Sequence, residues 1–245
     1  GGAVLPQGPG EGQHRSGNNA LPAAGHPHPP EDPGVGAAQG LGVIPVVASV
    51  AMAKMLEREG VDAVIAEGCE SGGHIGDLTT MTLVPQIVDA VSVPVIGAGG
   101  VGDGRGMAAM FMLGADAVQI GTRFVVADES IVHENYKNKI IAARDIDSAV
   151  TGRSTGHPVR SLRNKMTREY LKKEAEGASF EELELMTVGS LRNAVLEGDV
   201  VNGSLMAGQI AGLISKRQSC QEIIHELMTE TTALMKKVPH MLGVC

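Results

Sequence analysis

Tryptophan is absent from this chain, and its 245 residues include only two tyrosines and three phenylalanines. Hydrophobic residues still make up 43%. A sizeable core is therefore available, but an aliphatic one, drawn from Val, Ile, Leu, Ala and 12 methionines that adapt to irregular gaps. Cysteine is scarce as well. Cys69, Cys220 and Cys245 are odd in number and far apart, which argues against a disulfide framework and fits a reducing compartment. No stretch approaches the ~18 consecutive apolar residues that span a bilayer, and the first residues lack the basic and apolar regions of a secretory signal. These absences read as a cytoplasmic protein. Positive charge is also in deficit. A net charge of −8 argues against nucleic acid or an anionic membrane as partner, and the cluster Arg160, Arg163, Lys165 and Arg168 reads as a solvated helix face.

What is present divides into two regimes. Residues 1–40 hold 10 of the 33 glycines and 7 of the 12 prolines, with no Ile, Met, Phe, Tyr, Lys, Thr or Cys. Such a segment buries too little apolar surface to offset chain entropy, so disorder is expected. His26 and His28 stand close together there, but with no further ligand nearby they make no metal site.

From residue 43 the pattern changes to apolar runs alternating with amphipathic segments. Strands are expected near 43–47, 61–66, 93–96 and 117–120. Helices are expected between them: one capped by Ser49, one opening at Thr79 or Thr80, and one capped by Asp103 and closed by Gly114. This alternation predicts βα units and a parallel sheet, and near-continuous apolar strands fit a sheet covered on both faces. After about 128 the pattern reads as mainly helical, over 129–143, 157–176, 180–197, 204–216 and 219–238. Four βα units are half of an eight-stranded barrel and would also suit a small doubly wound sheet.

The chemistry gathers where the strands end. Residues 67–80 read Glu-Gly-Cys-Glu-Ser-Gly-Gly-His-Ile-Gly-Asp-Leu-Thr-Thr. His74 thus sits in a glycine-rich loop after a strand, where histidine is the usual acid–base residue near neutral pH. Catalysis and a carbonyl-bonded loop histidine are both open readings of it. Glu67 ends the strand and is a candidate acceptor for a cofactor's hydroxyls or ring N–H; Ser71 and Gly72 follow within reach of a ring or phosphate. Gly99-Gly100 and Gly121-Thr122 end the next two strands, a repeated arrangement in which bare backbone N–H groups favour a phosphate dianion without lysine. Gly100-Val101-Gly102-Asp103-Gly104 also invites a dinucleotide-fold reading, but the third glycine and the downstream acid are not cleanly spaced. Met107, Met110 and Met112 read as core filler. No Gly-X-Ser-X-Gly elbow occurs, and nothing marks Cys69 as an activated nucleophile.

Ala66-Glu67-Gly68 together with Gly73-His74-Ile75-Gly76-Asp77-Leu78-Thr79-Thr80-Met81 resembles the flavin-dependent enoyl-acyl-carrier-protein reductases (type II), which belong with the nitronate monooxygenases, formerly 2-nitropropane dioxygenases. The resemblance runs on through Pro94–Gly100, Gly121-Thr122-Arg123-Phe124 and Gly156-His157-Pro158-Val159-Arg160 to Gly203–Gly212, covering roughly residues 43 to 238. It implies a TIM barrel binding FMN, reduced by NADH or NADPH, that delivers hydride to the β-carbon of a trans-2-enoyl thioester on acyl carrier protein. It further implies phosphate held by Gly99, Gly100, Gly121 and Thr122, and Glu67, Ser71 and Gly72 nearer the ribityl chain and ring. His74 matches the family's active-site histidine, the base in nitronate oxidation and a flavin-ordering or proton-assisting group in the reductases. A monovalent cation and a homodimer are compatible with it.

Within the superfamily, Ile75–Met81 resembles the reductase branch. The nitronate monooxygenases carry a lysine in the strand corresponding to 43–49, where this chain has none. Members also begin with about four further βα units, completing the eight-stranded barrel, whose first loops contact the isoalloxazine ring. Residues 1–40 resemble nothing in the family, as a shifted reading frame or truncated start would leave them. The expectation is a half barrel with two open strand edges and an exposed apolar inner face, which binds FMN poorly and is unstable alone. An inactive fragment or a phosphate-binding module is the reading outside enzymology.

Overall fold

The computed structural model describes Gly2–Ala3 and residues 42–241. Apart from those first two residues, the expected disorder of 1–40 and the pair His26 and His28 lie outside the described residues. The architecture is α/β and matches a partial TIM barrel. β2 (Val46–Val47), β3 (Val64–Glu67), β5 (Val95–Ala98) and β6 (Ala117–Ile120) lie side by side in chain order and pair in parallel, Val46 opposite Ile65, Ile65 opposite Ile96, and Gly97 opposite Val118. β1 (Gly2–Ala3) adds to the β6 edge antiparallel, so among the described residues β1 and β2 are the two end strands of this sheet.

The connecting helices follow from their caps and apolar faces. α1 (Val50–Arg58) begins where the Ser49 hydroxyl accepts from the Met52 N–H, and it buries Ala53 and Leu56. α2 (Thr80–Val88) buries Leu83, Val84 and Ile87. α3 (Gly104–Met112) begins at Asp103, which accepts from the Arg105 and Gly106 N–H groups. Met107 and Met110 are core residues as expected, whereas Met112 is 55% exposed.

Strand alternation sorts the sheet's side chains into two sets. Val64, Ala66, Val95, Val118 and Ile120 pack with the helices in the main core. Ala63, Ile65, Ile96 and Ala98 form a separate aliphatic cluster, none more than 7% exposed. Val46, opposite Ile65 on the same face, is 45% exposed, so the inner face is covered at β3 and β5 and the expected exposure is met only at β2.

The second half departs further from its helical reading. α4 (Thr122–Val125) and α5 (Glu134–Ile141) lead into β7 (Ser148–Thr151) and β8 (Val159–Leu162), an antiparallel pair that β4 (Gly73–His74) extends to three strands. The helix expected over 157–176 starts only at Lys165. Pro158 and Val159 favour extended chain, and an Asn164–Thr167 capping box opens α6 (Lys165–Ala175). The run expected over 180–197 is interrupted at Gly189, φ 72°, which separates α7 (Phe180–Thr187) from α8 (Ser190–Arg192) and a following π turn over Asn193–Glu197. Residues 204–208 are extended, with only a 3₁₀ turn over Gln209–Leu213.

α9 (Cys220–Met241) closes the chain against α3. The fit is tight: a Cβ on Gly104 would lie 2.3 Å from the Glu230 Cβ, and the Gly104 N–H donates to Glu230 Oε2 at 2.9 Å. Arg123, 6% exposed, reaches Gln218 and Glu226 on the far side of this joint.

Lys137 is 1% exposed, and its ammonium donates to the carbonyls of Ala127 (2.9 Å) and Ser130 (2.7 Å). Lys137→Ala removes the ammonium from both carbonyls, leaving Ala127 with only the Ser130 N–H at 3.2 Å, and opens a cavity. It is expected to cost about 2–4 kcal/mol of stability in a urea titration.

Candidate functional site

Because β3, β5 and β6 run parallel, their C-terminal ends Glu67, Ala98 and Ile120 lie along one edge. The segments that follow enclose an open cleft of about 180 Å³. Glu67, Ser71, Gly72, Gly99, Gly100, Gly121 and Thr122 all line it, so the seven residues singled out as cofactor-binding are brought together. His74 is not among the lining residues. It is exposed, one position beyond the lining residue Gly73, with its backbone paired to Val159. The loop expected around it is thus pinned by a strand pairing that the glycine count gave no reason to foresee.

The cleft's walls are backbone in close contact. Gly99 and Gly100 hold φ of 83° and 75°, the left-handed region that a side chain strains. A Cβ on Gly72 would lie 2.5 Å from the Ala207 carbonyl carbon. Residues 206–209 are drawn over these loops by three bonds. The Gly208 N–H donates to Thr122 Oγ1 at 2.9 Å, the Gln209 N–H to the Glu70 carbonyl at 2.9 Å, and the Tyr136 hydroxyl to the Met206 carbonyl at 2.7 Å. Thr122 accepts in its contact and keeps its own proton for a ligand.

Two polar groups in the cleft are not at rest. Ser71 Oγ is the one buried side-chain polar atom among the described residues without a hydrogen-bond partner. It lies beside the Glu67 carboxyl and lowers its proton affinity, in a geometry too loose to count as a bond. Burial acts the other way and prevails, holding the Glu67 carboxyl above its ordinary 4.5. A carboxyl raised by folding stabilises the fold fully below its unfolded value, and that contribution is lost as pH rises through the folded one. Glu67→Gln is therefore expected to flatten the fall in stability above pH 4.5, read by urea titrations across that window; an unchanged slope would mean Glu67 titrates normally.

Sequence reasoning missed Glu70, Met206 and Gly208, which also line the cleft, and Arg160 behind it. Gly208 and Gly212, inside the segment read as helix over 204–216, were the available signal against that reading. Arg160 is 7% exposed, so it is no part of a solvated face; its Nη2 and Nε donate to the Cys69 carbonyl at 2.9 and 3.1 Å, and its Nη1 to Ser148 Oγ at 3.1 Å. Burial lowers the guanidinium's proton affinity without discharging it. Cys69 is held above the usual thiol range by burial and by Glu70, against Arg160 and Arg153, which leaves it a poor nucleophile. Among the described residues, no three His, Cys, Asp or Glu are grouped to hold a metal, and no helix is long and apolar enough to cross a membrane.

The sequence model of the nitronate monooxygenases matches residues 29–230. The chain belongs to the nitronate monooxygenase family. This is a family of FMN-dependent oxidoreductases. A probable nitronate monooxygenase of Staphylococcus saprophyticus is 32% identical over 206 residues, covering 80% of this chain and 58% of that relative. Among solved structures, FabK from Thermotoga maritima is 50% identical with a TM-score of 0.81, over 84% of this chain and 66% of that one. A nitroalkane oxidase from Streptomyces ansochromogenes is 28% identical with a TM-score of 0.70, over 82% and 60%. The chain thus spans about three-fifths of the length of the curated family member it matches.

Proposed function

We propose that the chain carries the FMN phosphate site of an enoyl-acyl-carrier-protein reductase, which reduces trans-2-enoyl thioesters of fatty acid synthesis with NADH or NADPH. The supporting observation is the 50% identity to FabK, against 28% to the nitroalkane oxidase over nearly the same share of the chain. The residues fit the cofactor. Gly99, Gly100 and Gly121 turn bare backbone towards the cleft, Thr122 retains a proton to donate, and the unpartnered Ser71 hydroxyl awaits a polar group. In this reading those first four hold the phosphate, while Glu67, Ser71 and Gly72 meet the ribityl chain and ring. FMN when bound supplies two-electron relay between the nicotinamide and the carbon–carbon double bond. His74, at the rim beside Gly73, orders the flavin site or assists protonation of the reduced thioester.

A second reading, nitronate monooxygenase, is supported by the Staphylococcus relative; there His74 would take the proton of the nitronate's parent carbon acid. Anaerobic mixing of the flavin-loaded chain with NADH and then crotonyl thioester separates the two. The reductase reading expects the visible flavin absorbance to bleach and then recover without oxygen. Failure to bleach with NADH, together with oxygen uptake on a nitronate, would favour the second reading. A chain that takes up no flavin would support an inactive or phosphate-binding role.

A further inference from the structure

Glu70 lies in the loop after β3, four residues before His74, yet the proposed chemistry gives it no task. Its side chain turns away from bulk solvent onto the start of α2. Both carboxylate oxygens accept from the Thr80 N–H, at 3.1 and 3.0 Å, and Oε2 also accepts from the Thr80 hydroxyl at 2.9 Å. Thr79, the residue placed to cap α2, takes no helix N–H with its side chain; its hydroxyl meets that of Thr82 at 3.2 Å instead. Glu70 therefore caps a helix ten residues downstream, a charge-assisted bond at the positive helix end.

The Thr80 hydroxyl has one proton, which the nearer Glu70 carboxylate takes, so its approaches of 3.2 Å to the Gly99 carbonyl and 3.4 Å to that of Ala98 seat the turn by close packing. The Glu70 backbone carbonyl takes the Gln209 N–H at 2.9 Å. Glu70 thus bonds one wall segment directly through Gln209, lies against Gly100, where an added Cβ would sit 3.7 Å from its own, and meets the Gly99 carbonyl through Thr80. The packing around it has no slack. A Cβ on Gly68 would fall 2.0 Å from Thr80 Oγ1 and 2.6 Å from Glu70 Oε2, and one on Gly208 would fall 2.8 Å from the Glu70 carbonyl.

We infer that Glu70 is the positioning residue of the cleft: through Thr80 it fixes the Gly99–Gly100 turn, and through its carbonyl the Gly208–Gln209 segment, in the spacing a phosphate requires. This rests on the flavin reading for the identity of the ligand, but the coupling of the segments does not. An anion held by several backbone N–H groups loses affinity when their relative positions loosen by fractions of an ångström. The isoalloxazine and ribityl contacts depend less on that spacing.

The test uses the full chain, with Glu70→Gln and Thr80→Val breaking the clamp from opposite ends and Glu169→Gln on the exposed face of α6 as control. Amide hydrogen exchange in the ligand-free protein is expected to accelerate at 99–101 in both clamp variants and at 208–211 in Glu70→Gln, the substitution at the residue that holds the Gln209 N–H, with the α3–α9 joint unchanged. In flavin titrations, both are expected to lose about tenfold in FMN affinity, the scale of one weakened charge-assisted bond, with riboflavin affinity little altered. Uniform acceleration of exchange would assign Glu70 to general stability and overturn the inference. So would unchanged exchange at those segments, or equal losses for FMN and riboflavin. Failure of the unaltered chain to bind either flavin would remove the flavin reading, while the exchange data would still decide the coupling.

Discussion

Gly99→Ala is expected to reduce FMN affinity by about a hundredfold or more and to cost about 2–4 kcal/mol of stability. Two independent terms act at this residue. Its φ of 83° is one that a Cβ opposes, and the added carbon would lie 2.7 Å from the Gly68 carbonyl oxygen. That oxygen belongs to backbone just past β3, which cannot swing aside as a flexible side chain would. Relief requires the turn to move, and the turn is a wall of the cleft. Gly121→Ala is the informative comparison for stability. Its φ is −99°, and a Cβ there meets nothing within 4 Å, so the ligand-free chain should keep its urea midpoint to within about 0.5 kcal/mol. Equal destabilisation by the two substitutions would show that close packing at Gly99 is not what shapes the cleft.

His74→Ala is expected to lower turnover by about 10²–10⁴, the range for a lost acid–base group, while FMN affinity changes less than about twofold. The separation follows from position. His74 contributes its backbone to β4, which pairs with β8 whatever the side chain, and its ring stands exposed outside the cleft-lining set. Removing the imidazole should leave Gly72, Gly99 and Gly121 where they are. Steady-state rates beside flavin titrations check this. An unchanged rate would remove His74 from the active site, and parallel loss of rate and affinity would make its role structural.

The barrel half was legible because its periodicity is local: Val64–Glu67, Val95–Ala98 and Ala117–Ile120 are apolar runs broken by glycine, with Ser49 and Asp103 marking helix starts. The gathering of the residues proposed to hold the cofactor was legible for the same reason, since parallel strands bring their ends together once the strands are placed. The small antiparallel sheet was not. β4 has two residues, and its partner Val159–Leu162 lies some 85 positions downstream, so only tertiary pairing reveals either. Glu70 was hidden by its sequence setting, as a glutamate ten residues before a helix carries no capping signature. Arg160 looked like one charge in a basic run, and only its buried neighbours show that it clamps the Cys69 carbonyl.

Three strand ends that converge on a phosphate should make the chain discriminate FMN from riboflavin, which differs only in lacking that group, and titrating the full chain with each in turn reads the difference. FMN is expected to bind at least about tenfold more tightly, with the preference lost in Gly99→Ala. Equal affinity for the two, or a preference that survives in Gly99→Ala, would contradict that convergence.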